Sequence, residues 1–329
     1  MRCSDKMYSI LLEYSPLVER YSIDECFLDY TASQGRFGDP VKTAYKIKER
    51  IKNELGFTVN IGVSCNKILA KMAGELKKPD MVHTLWPEEM EKKIWPLPVG
   101  ELFMCGRVTS QKLQKININT IGDLARSDKN HMKALLKSQG ILVWRLANGI
   151  DDSEVTLKSE IIQKGIGNST TISYDVTKRE EALKILLSLT ERVAMRLRRL
   201  GYMTSLVSVS IKTDGFIRYS HQLKISYCIN TTTEIYEYVC LLFEQSWKGE
   251  PIRLLGVHVS DFQSDDSRQI SLFDKKDVEK LQALDSAVDK IRAKYGTKSI
   301  IRGSFANGNI NEVQSGINDS DFIMMGGCR

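Results

Sequence analysis

No apolar run in this 329-residue sequence approaches the roughly 18 residues of a membrane-spanning helix, so no membrane partner is expected. The opening Met1-Arg2-Cys3-Ser4-Asp5 is charged and has no apolar signal-peptide core, which points to a cytoplasmic protein. Seven cysteines, an odd number with no C-x-x-C pair, argue against a disulfide framework or a zinc site. Only four histidines are present, and they stand far apart. Internal repeats and low-complexity blocks are absent too. What is present is an ordinary globular composition with 42% hydrophobic residues. The length suits roughly two to four compact domains. The net charge of +6 fits a polyanionic partner, though many unrelated proteins are this basic.

Residues 17–31 read as a β-hairpin. Val18 to Ile23 and Cys26 to Tyr30 are β-prone, and Asp24-Glu25 sits at the break between them. Gly35 to Pro40 reads as a turn-rich loop. A helix then runs to about Leu55, with Ala44, Ile47, Ile51 and Leu55 on one stripe, and Gly56 stops it. Phe57 to Val63 is expected as a strand, Ser64 as the N-cap of a helix through Leu76, and Met81 to Leu85 as another strand. Hairpin, helix, strand, helix, strand is most of a ferredoxin-like α/β sheet. Pro87, Pro96 and Pro98 mark a change to short helices through Ile150, and Asp151 to Lys164 reads as a polar linker. Beyond it, Glu180 to Leu200 is expected as a long helix. Leu206 to Lys212, Tyr219 to Ile225 and Ile252 to Phe262 are expected as strands. A polar linker at Gln263 to Ser267, a helix from Val278 to Tyr295 and a weakly patterned tail complete the chain.

Asp24 and Glu25 carry the first chemical signal. Adjacent side chains on an extended strand point to opposite faces, but at a hairpin tip the backbone turns and both can reach one site. Two carboxylates there repel unless a cation joins them. Phosphoryl transfer uses such a cluster to hold two Mg²⁺ ions about 3.5–4 Å apart. For an isolated Asp-Glu pair, an acidic turn exposed to water is the plain alternative.

The surrounding run, Tyr21-Ser22-Ile23-Asp24-Glu25-Cys26-Phe27-Leu28-Asp29, resembles the signature hairpin S-I-D-E-x-x-L-D of the Y-family translesion DNA polymerases. Further on, Ile61-Gly62-Val63-Ser64-Cys65-Asn66-Lys67-Ile68-Leu69-Ala70-Lys71-Met72-Ala73 looks like the family's second signature, G-V-S-x-N-K-x-L-A-K-x-A, followed by a Lys-Pro pair at Lys78-Pro79. The resemblance extends to about residue 300. It implies an α/β multidomain protein. A partial ferredoxin-like polymerase palm would occupy residues 1–95, and a helical helix–hairpin–helix thumb 96–160. An α/β little-finger domain would occupy 164–262, with a clamp-binding linker and flexible C-terminal tail over 263–329. Asp24 and Glu25 become catalytic carboxylates that hold metal, with two Mg²⁺ ions in the complete enzyme. Primer–template DNA and deoxynucleoside triphosphates become the substrates. Lys78 matches the position that contacts the incoming triphosphate. Lys71 takes a phosphate-side role and Lys67 a DNA-side role. On a helix these last two share a face, and a solvated surface charge is the alternative for each.

Leu102 to Leu124 resembles the helix–hairpin–helix of the family's thumb. Met104-Cys105-Gly106-Arg107 would be the hairpin, with a second helix after Ile118-Asn119-Thr120. Backbone N–H groups at such a helix start hold a DNA phosphate, which makes Gly106 and Arg107 DNA-side candidates. The family usually has two glycines here, and Met104 stands at the first. Lys164-Gly165-Ile166-Gly167-Asn168-Ser169-Thr170-Thr171 resembles K-S-I-G-x-x-x-T, which opens the little finger. Gly165 and Gly167 would let template phosphates approach the backbone, with Lys164 and Thr171 beside them. Gly165 replaces the usual serine. Arg218, with Ser220 and Lys224, lies near a DNA-facing strand, whereas Arg192, Arg196 and Arg199 read as a solvated stripe. Gln269-Ile270-Ser271-Leu272-Phe273 resembles the bacterial sliding-clamp peptide Q-L-x-L-F. Leu272 and Phe273 would fill an apolar pocket and Gln269 would set the register.

Members of the family begin with a strand whose Asp is a third metal ligand and continue with a fingers domain. Neither pattern precedes the hairpin in this sequence. A truncated, split or partial chain is therefore expected, with its activity alone left open. Two readings stand at this point. One is an error-prone translesion polymerase of the DNA-damage (SOS) response. The other is a catalytically dead DNA- and clamp-binding remnant. A nucleotidyl cyclase with a similar palm explains neither the hairpin module nor the clamp-like peptide.

Overall fold

The computed structural model describes residues 2–157, 163–264 and 278–305. They fall into two compact units, divided in sequence between residues 157 and 163. No helix among the described residues is long and apolar enough to cross a membrane.

The first unit opens on α1 (Arg2–Leu12), an element the sequence reading missed. Its Met7 and Ile10 pack with Ile47 and Ile51. The expected hairpin follows, with β1 (Val18–Arg20) and β2 (Cys26–Leu28) antiparallel and Glu19 opposite Phe27. Its strands are shorter than the β-prone runs. Tyr21 N and Ser22 N both donate to Glu25 O, which closes the tip early. In the segment expected as loop, α2 (Gln34–Phe37) makes one helical turn and Gly38 ends it. Asp39 caps α3 (Pro40–Leu55) by accepting from Lys42 N, and Gly56, at φ 76°, stops it as expected.

β3 (Ile61–Val63) and β4 (Val82–Thr84) pair in parallel, which requires a crossover, and α4 (Lys67–Glu75) supplies it. Helix and strand backbones nearly touch. A Cβ on Gly62 would sit 1.8 Å from Ala70 O, so only glycine fits there. Asn66, not the expected Ser64, caps α4. Asn66 Oδ1 accepts from Leu69 N at 2.9 Å, while Ser64 Oγ donates to Leu85 O. Strand 57–63 shortens to β3. Among the described residues the expected single ferredoxin-like sheet is in two pieces, because β1–β2 and β3–β4 share no ladder.

Short helices follow: α5 (Met90–Lys93), α6 (Arg107–Gln114), α7 (Ile121–Arg126), α8 (Lys129–Leu136) and α9 (Ser138–Ala147). One core joins them to α4 through Leu69, Ile94, Leu113, Leu124, Met132 and Val143. Each fully buried leucine here contributes roughly 1.5–3 kcal/mol. The core is continuous across residue 95.

The second unit comprises β5 (Gly165–Val176), α10 (Arg179–Arg199), β6 (Tyr202–Thr213), β7 (Arg218–Ile229), α11 (Thr232–Ser246) and β8 (Ile252–Ser264). The strands form a four-stranded antiparallel sheet in the order β5-β8-β6-β7. Between the register shifts near the strand ends, side chains alternate across it. Ile166, Val259, Val207 and Leu223 share a rung on one face, and α10 and α11 cover that face with Leu186, Leu189, Val193 and Phe243. α12 (Val278–Tyr295) has the bounds the sequence predicts. Arg198 of α10 holds it, with Nη1 3.0 Å from Asp285 and Nε 2.8 Å from Asp289.

Candidate active site

The hairpin tip brings Asp24 and Glu25 together. Ser22 Oγ donates to Asp24 Oδ1 at 2.7 Å and lies 3.5 Å from Glu25 Oε2, so one hydroxyl reaches both carboxylates. α4 brings cations to the same place. Lys71 Nζ donates to Glu25 Oε1 and, at 3.0 Å, to Glu75 Oε1. Lys78 Nζ lies 2.6 Å from Glu75 Oε2. The charges thus alternate along Glu25, Lys71, Glu75 and Lys78. Burial pulls the Lys71 pKa down, but Glu25 and Glu75 outweigh it and hold it above the ordinary lysine value. Burial pushes Glu75 up, but Lys78 and Lys71 outweigh that and hold it below the ordinary carboxylate value. Lys71 and Glu75 therefore stay charged at neutral pH.

Lys67 faces elsewhere. Its Nζ donates to Glu19 Oε2 at 2.7 Å and to Glu154 O at 3.1 Å, and it lies 5.1 Å from the Phe27 ring centre. Glu19 is only 1% exposed. Its Oε2 also accepts from Thr156 N at 2.8 Å, while its Oε1 is buried without a hydrogen-bond partner. The ammonium assigned to DNA from the sequence is thus paired inward. The polar stretch after Ile150 is equally committed as far as residue 157. Asp151 Oδ2 accepts from Ile68 N at 3.0 Å, at the start of α4, and Asn66 Nδ2 donates to Gly149 O at 2.9 Å. Those residues dock on α4 rather than forming the free linker expected.

A cleft of about 1350 Å³ opens beside the carboxylates, lined by Asp24, Glu25, Phe27, Ile61, Lys71 and Lys78. Burial pushes the Cys26 thiol up to about 11 and the Cys105 thiol likewise to about 11, so neither is a nucleophile at neutral pH. Among the described residues no group of three or more His, Cys, Asp or Glu side chains converges to hold a metal. Asp24 and Glu25 supply two hard carboxylates. That donor type suits Mg²⁺, which is commonly held by one or two carboxylates with substrate phosphates completing the shell.

In the helical part, Gly106 caps α6 and Arg107 begins it. Met104 sits at φ 67°, in the left-handed region that favours glycine. α7 starts after Thr120, which exchanges hydrogen bonds with Asp123: Asp123 N to Thr120 Oγ1 at 3.0 Å and Thr120 N to Asp123 Oδ2 at 2.9 Å. In the second unit, Gly165, Gly167, Thr171 and Arg218 all lie on the sheet face away from the helices, and Lys164 immediately precedes β5. The space over the two glycines is filled. A Cβ on Gly165 would lie 2.6 Å from His258 Nε2, and one on Gly167 2.9 Å from His258 Cδ2. The glycines seat a histidine ring where the sequence reading placed approaching phosphates. Gln269, Leu272 and Phe273 lie outside the described residues.

Residues 1–75 match the impB/mucB/samB family, and residues 163–272 match the C-terminal domain of that family. The chain is 47% identical to DNA polymerase IV of Clostridium acetobutylicum over 301 residues, covering 92% of this chain and 76% of that protein. The chain belongs to the Y-family translesion DNA polymerases. It is also 39% identical to DNA polymerase IV 2 of Bacillus subtilis, over 90% of this chain and 73% of the relative. A solved Y-family DNA polymerase chimera shares the fold at a TM-score of 0.66 and 22% identity, over 79% of this chain and 75% of that one.

Within this Y-family chain, Asp24, Glu25, Lys71 and Lys78 line one cleft. Glu19, Glu75 and His258 were missed. Glu75 was findable, since it lies four residues from Lys71 and three from Lys78 on one helix edge. Glu19 and His258 carried no local signal, because their partners are distant in sequence.

Proposed function

We infer that this chain is a DNA-directed DNA polymerase of translesion synthesis, joining deoxynucleotides to a primer opposite damaged template bases. The carrying observation is the convergence of Asp24 and Glu25 with Lys71 and Lys78 on one cleft of a chain that belongs to this family. In this reading residues 1–95 serve as palm, 96–160 as helix–hairpin–helix thumb and 164–262 as little finger.

Asp24 and Glu25 would hold Mg²⁺, which when bound activates the primer 3′-hydroxyl and neutralises the leaving pyrophosphate. The protein's own groups do the rest. Lys71 holds Glu25 in place and offsets its repulsion with Asp24. Lys78, exposed and paired with Glu75, exchanges that carboxylate for a triphosphate oxygen. Lys71 supports the same phosphates from the cleft wall. The start of α6 at Gly106 and Arg107 holds a duplex phosphate. Lys164, Thr171 and Arg218 follow the DNA backbone along the open sheet face, with Gly165 and Gly167 shaping it, and Lys67 contributes to the DNA side indirectly by fixing residues 154–156. Gln269, Leu272 and Phe273 form a peptide for the bacterial sliding clamp.

Primer extension with Mg²⁺ on a lesion-bearing template tests this. Extension by the chain, lost in Asp24→Ala and Glu25→Ala while DNA binding persists, is the expected result. DNA binding with no extension by the unaltered chain would favour a catalytically dead DNA-binding protein instead. For the clamp peptide, co-precipitation with the clamp should fail in Leu272→Ala and Phe273→Ala, and unchanged capture would remove that assignment.

A further inference from the structure

The sheet of the second unit has one face free of the unit's helices, and its side chains can be read rung by rung. Gly165, Ser260, Leu206 and Lys224 share one rung. Gly167, His258, Ser208 and Gln222 share the next, then Ser169, Gly256, Ser210 and Ser220, then Thr171, Leu254, Lys212 and Arg218. This is a shallow surface of glycine and hydroxyl residues with cations at both ends. The larger side chains of its middle rungs are His258 and Gln222. The His258 ring runs along β5 from Gly167, where its Cβ and Cδ2 lie, to Gly165, where its Cε1 and Nε2 lie. Any other residue at either glycine would collide with it. Two glycines in one edge strand weaken that strand, and their return is a fixed place for one imidazole. The residue remains solvent-exposed on this face.

We propose that His258, held on the shelf formed by Gly165 and Gly167, is the central phosphate-binding side chain of this face and engages a phosphodiester of bound DNA as the imidazolium. The inference rests on the reading of this face as a DNA surface.

The surroundings explain why the bound phosphate is needed to charge it. β5 offers Gly165, Gly167 and Ser169, β6 offers Leu206, Ser208 and Ser210, and His258's own strand offers Gly256 and Ser260. None of these is charged. Arg196 reaches the edge of β5, donating to Gly167 O at 3.2 Å. Lys224, one rung away, is paired with Asp261 at 2.9 Å, and Lys212 and Arg218 lie two rungs off on the other side. Partial burial against the sheet lowers the imidazole pKa, and among the described residues no carboxylate pairs with it to restore the charge. A DNA phosphate brings the missing negative charge, so binding takes up a proton. Affinity then rises as pH falls, by at most about tenfold per pH unit between the free and bound pKa values.

The experiment is fluorescence anisotropy of labelled primer–template DNA with the full chain at about pH 6 and about pH 8, at matched ionic strength. The unaltered chain is expected to bind several-fold more tightly at the lower pH. His258→Gln should abolish that difference. It should also reduce the salt dependence of log affinity by about 0.9 at the lower pH and leave it unchanged at the higher. Gly167→Ala, which displaces the ring, should reproduce His258→Gln and add nothing when the two are combined. Lys212→Ala should weaken binding equally at both pH values. An unchanged pH profile in His258→Gln, with binding intact, would overturn the role of His258 and leave the DNA surface standing. No DNA binding by the unaltered chain at either pH would overturn both. Thermal melts of each variant establish that it is folded, and His258→Gln, being on an exposed face, carries the test if Gly167→Ala does not fold.

Discussion

At the hairpin tip, both lysines of α4 hold carboxylates: Lys67 has Glu19, and Lys71 has Glu25 and Glu75. On the β5–β8–β6–β7 face the cations stand at the two ends, Lys224 paired with Asp261 at 2.9 Å and Lys212 4.4 Å from the Phe216 ring centre. The roles proposed for the two regions give that difference a reason. A reaction centre needs like charges brought close, and these are stable only when countercharges are already in place. A surface that follows a polyanion needs spaced positive charge and little bulk between. Function should accordingly hinge on single residues at the tip and be shared among many on the sheet.

The sharpest way to break that contrast is to remove one group from each region. Asp24→Ala should lower primer extension by about 10²–10³-fold, the scale of losing one group that stabilises developing charge. Arg218→Ala should lower DNA affinity by less than about tenfold, the share of one phosphate contact. Comparable losses at the two sites would mean that the sheet is as concentrated a site as the tip.

The next largest effect concerns stability of the tip. Glu19→Ala leaves the Lys67 ammonium and Thr156 N without their buried acceptor. It should destabilise the first unit by about 3 kcal/mol, visible as a lower midpoint in chemical denaturation. Glu19→Leu combined with Lys67→Met should recover much of the loss, since it removes both charges and the orphaned Glu19 Oε1 together. If the single variant melts like the unaltered chain, the pairing that anchors β1 to α4 and to residues 154–156 contributes little.

What could be seen from sequence follows the same division. The turn carboxylates, the α3 stripe with its Gly56 stop, and α12 are local patterns and were legible. β5 was not, because Gly165, Gly167, Asn168 and Asp175 have weak strand preference and its extended form comes from the ladder with β8. α11 was missed although Ile235, Val239, Leu242, Phe243 and Ser246 recur at helical spacing. The inward turn of Lys67 was hidden because a buried Glu19 looks like any strand glutamate. The glycine shelf was hidden because the register of β5 against β8, not either strand alone, places His258 over it.

A smaller effect separates backbone strain from side-chain packing in the helical part. Met104 lies at φ 67°, and its side chain also packs against the core. Met104→Gly and Met104→Ala lose the same packing, but only glycine is at ease in that conformation. Met104→Gly should therefore be more stable than Met104→Ala by about 1 kcal/mol in thermal or denaturant unfolding. Equal stabilities would show that the turn relaxes when the side chain is cut back.

The smallest expected effect probes the tip's charge chain through pH. Burial opposes the ionised form of Glu75, but Lys78 and Lys71 outweigh it and its folded pKa lies below the ordinary 4.5. A carboxylate lowered on folding contributes stability that is present above its unfolded value and lost as pH falls through the folded one. Lys71, raised on balance by Glu25 and Glu75 against its burial, contributes below its ordinary 10.5 and loses that contribution as pH rises through the folded value. Glu75→Gln should flatten the acid limb of the stability profile below the ordinary Glu pKa. The His258 pKa is lowered by partial burial from the ordinary 6.5, so the unfolded chain takes up that proton first and stability falls as pH drops from 6.5 toward the folded value. His258→Gln should flatten that part of the profile, and Glu75→Gln the part below 4.5. The same part of the limb flattened equally by both substitutions would erase the distinction between the carboxylate held by two lysines and the imidazole held by burial.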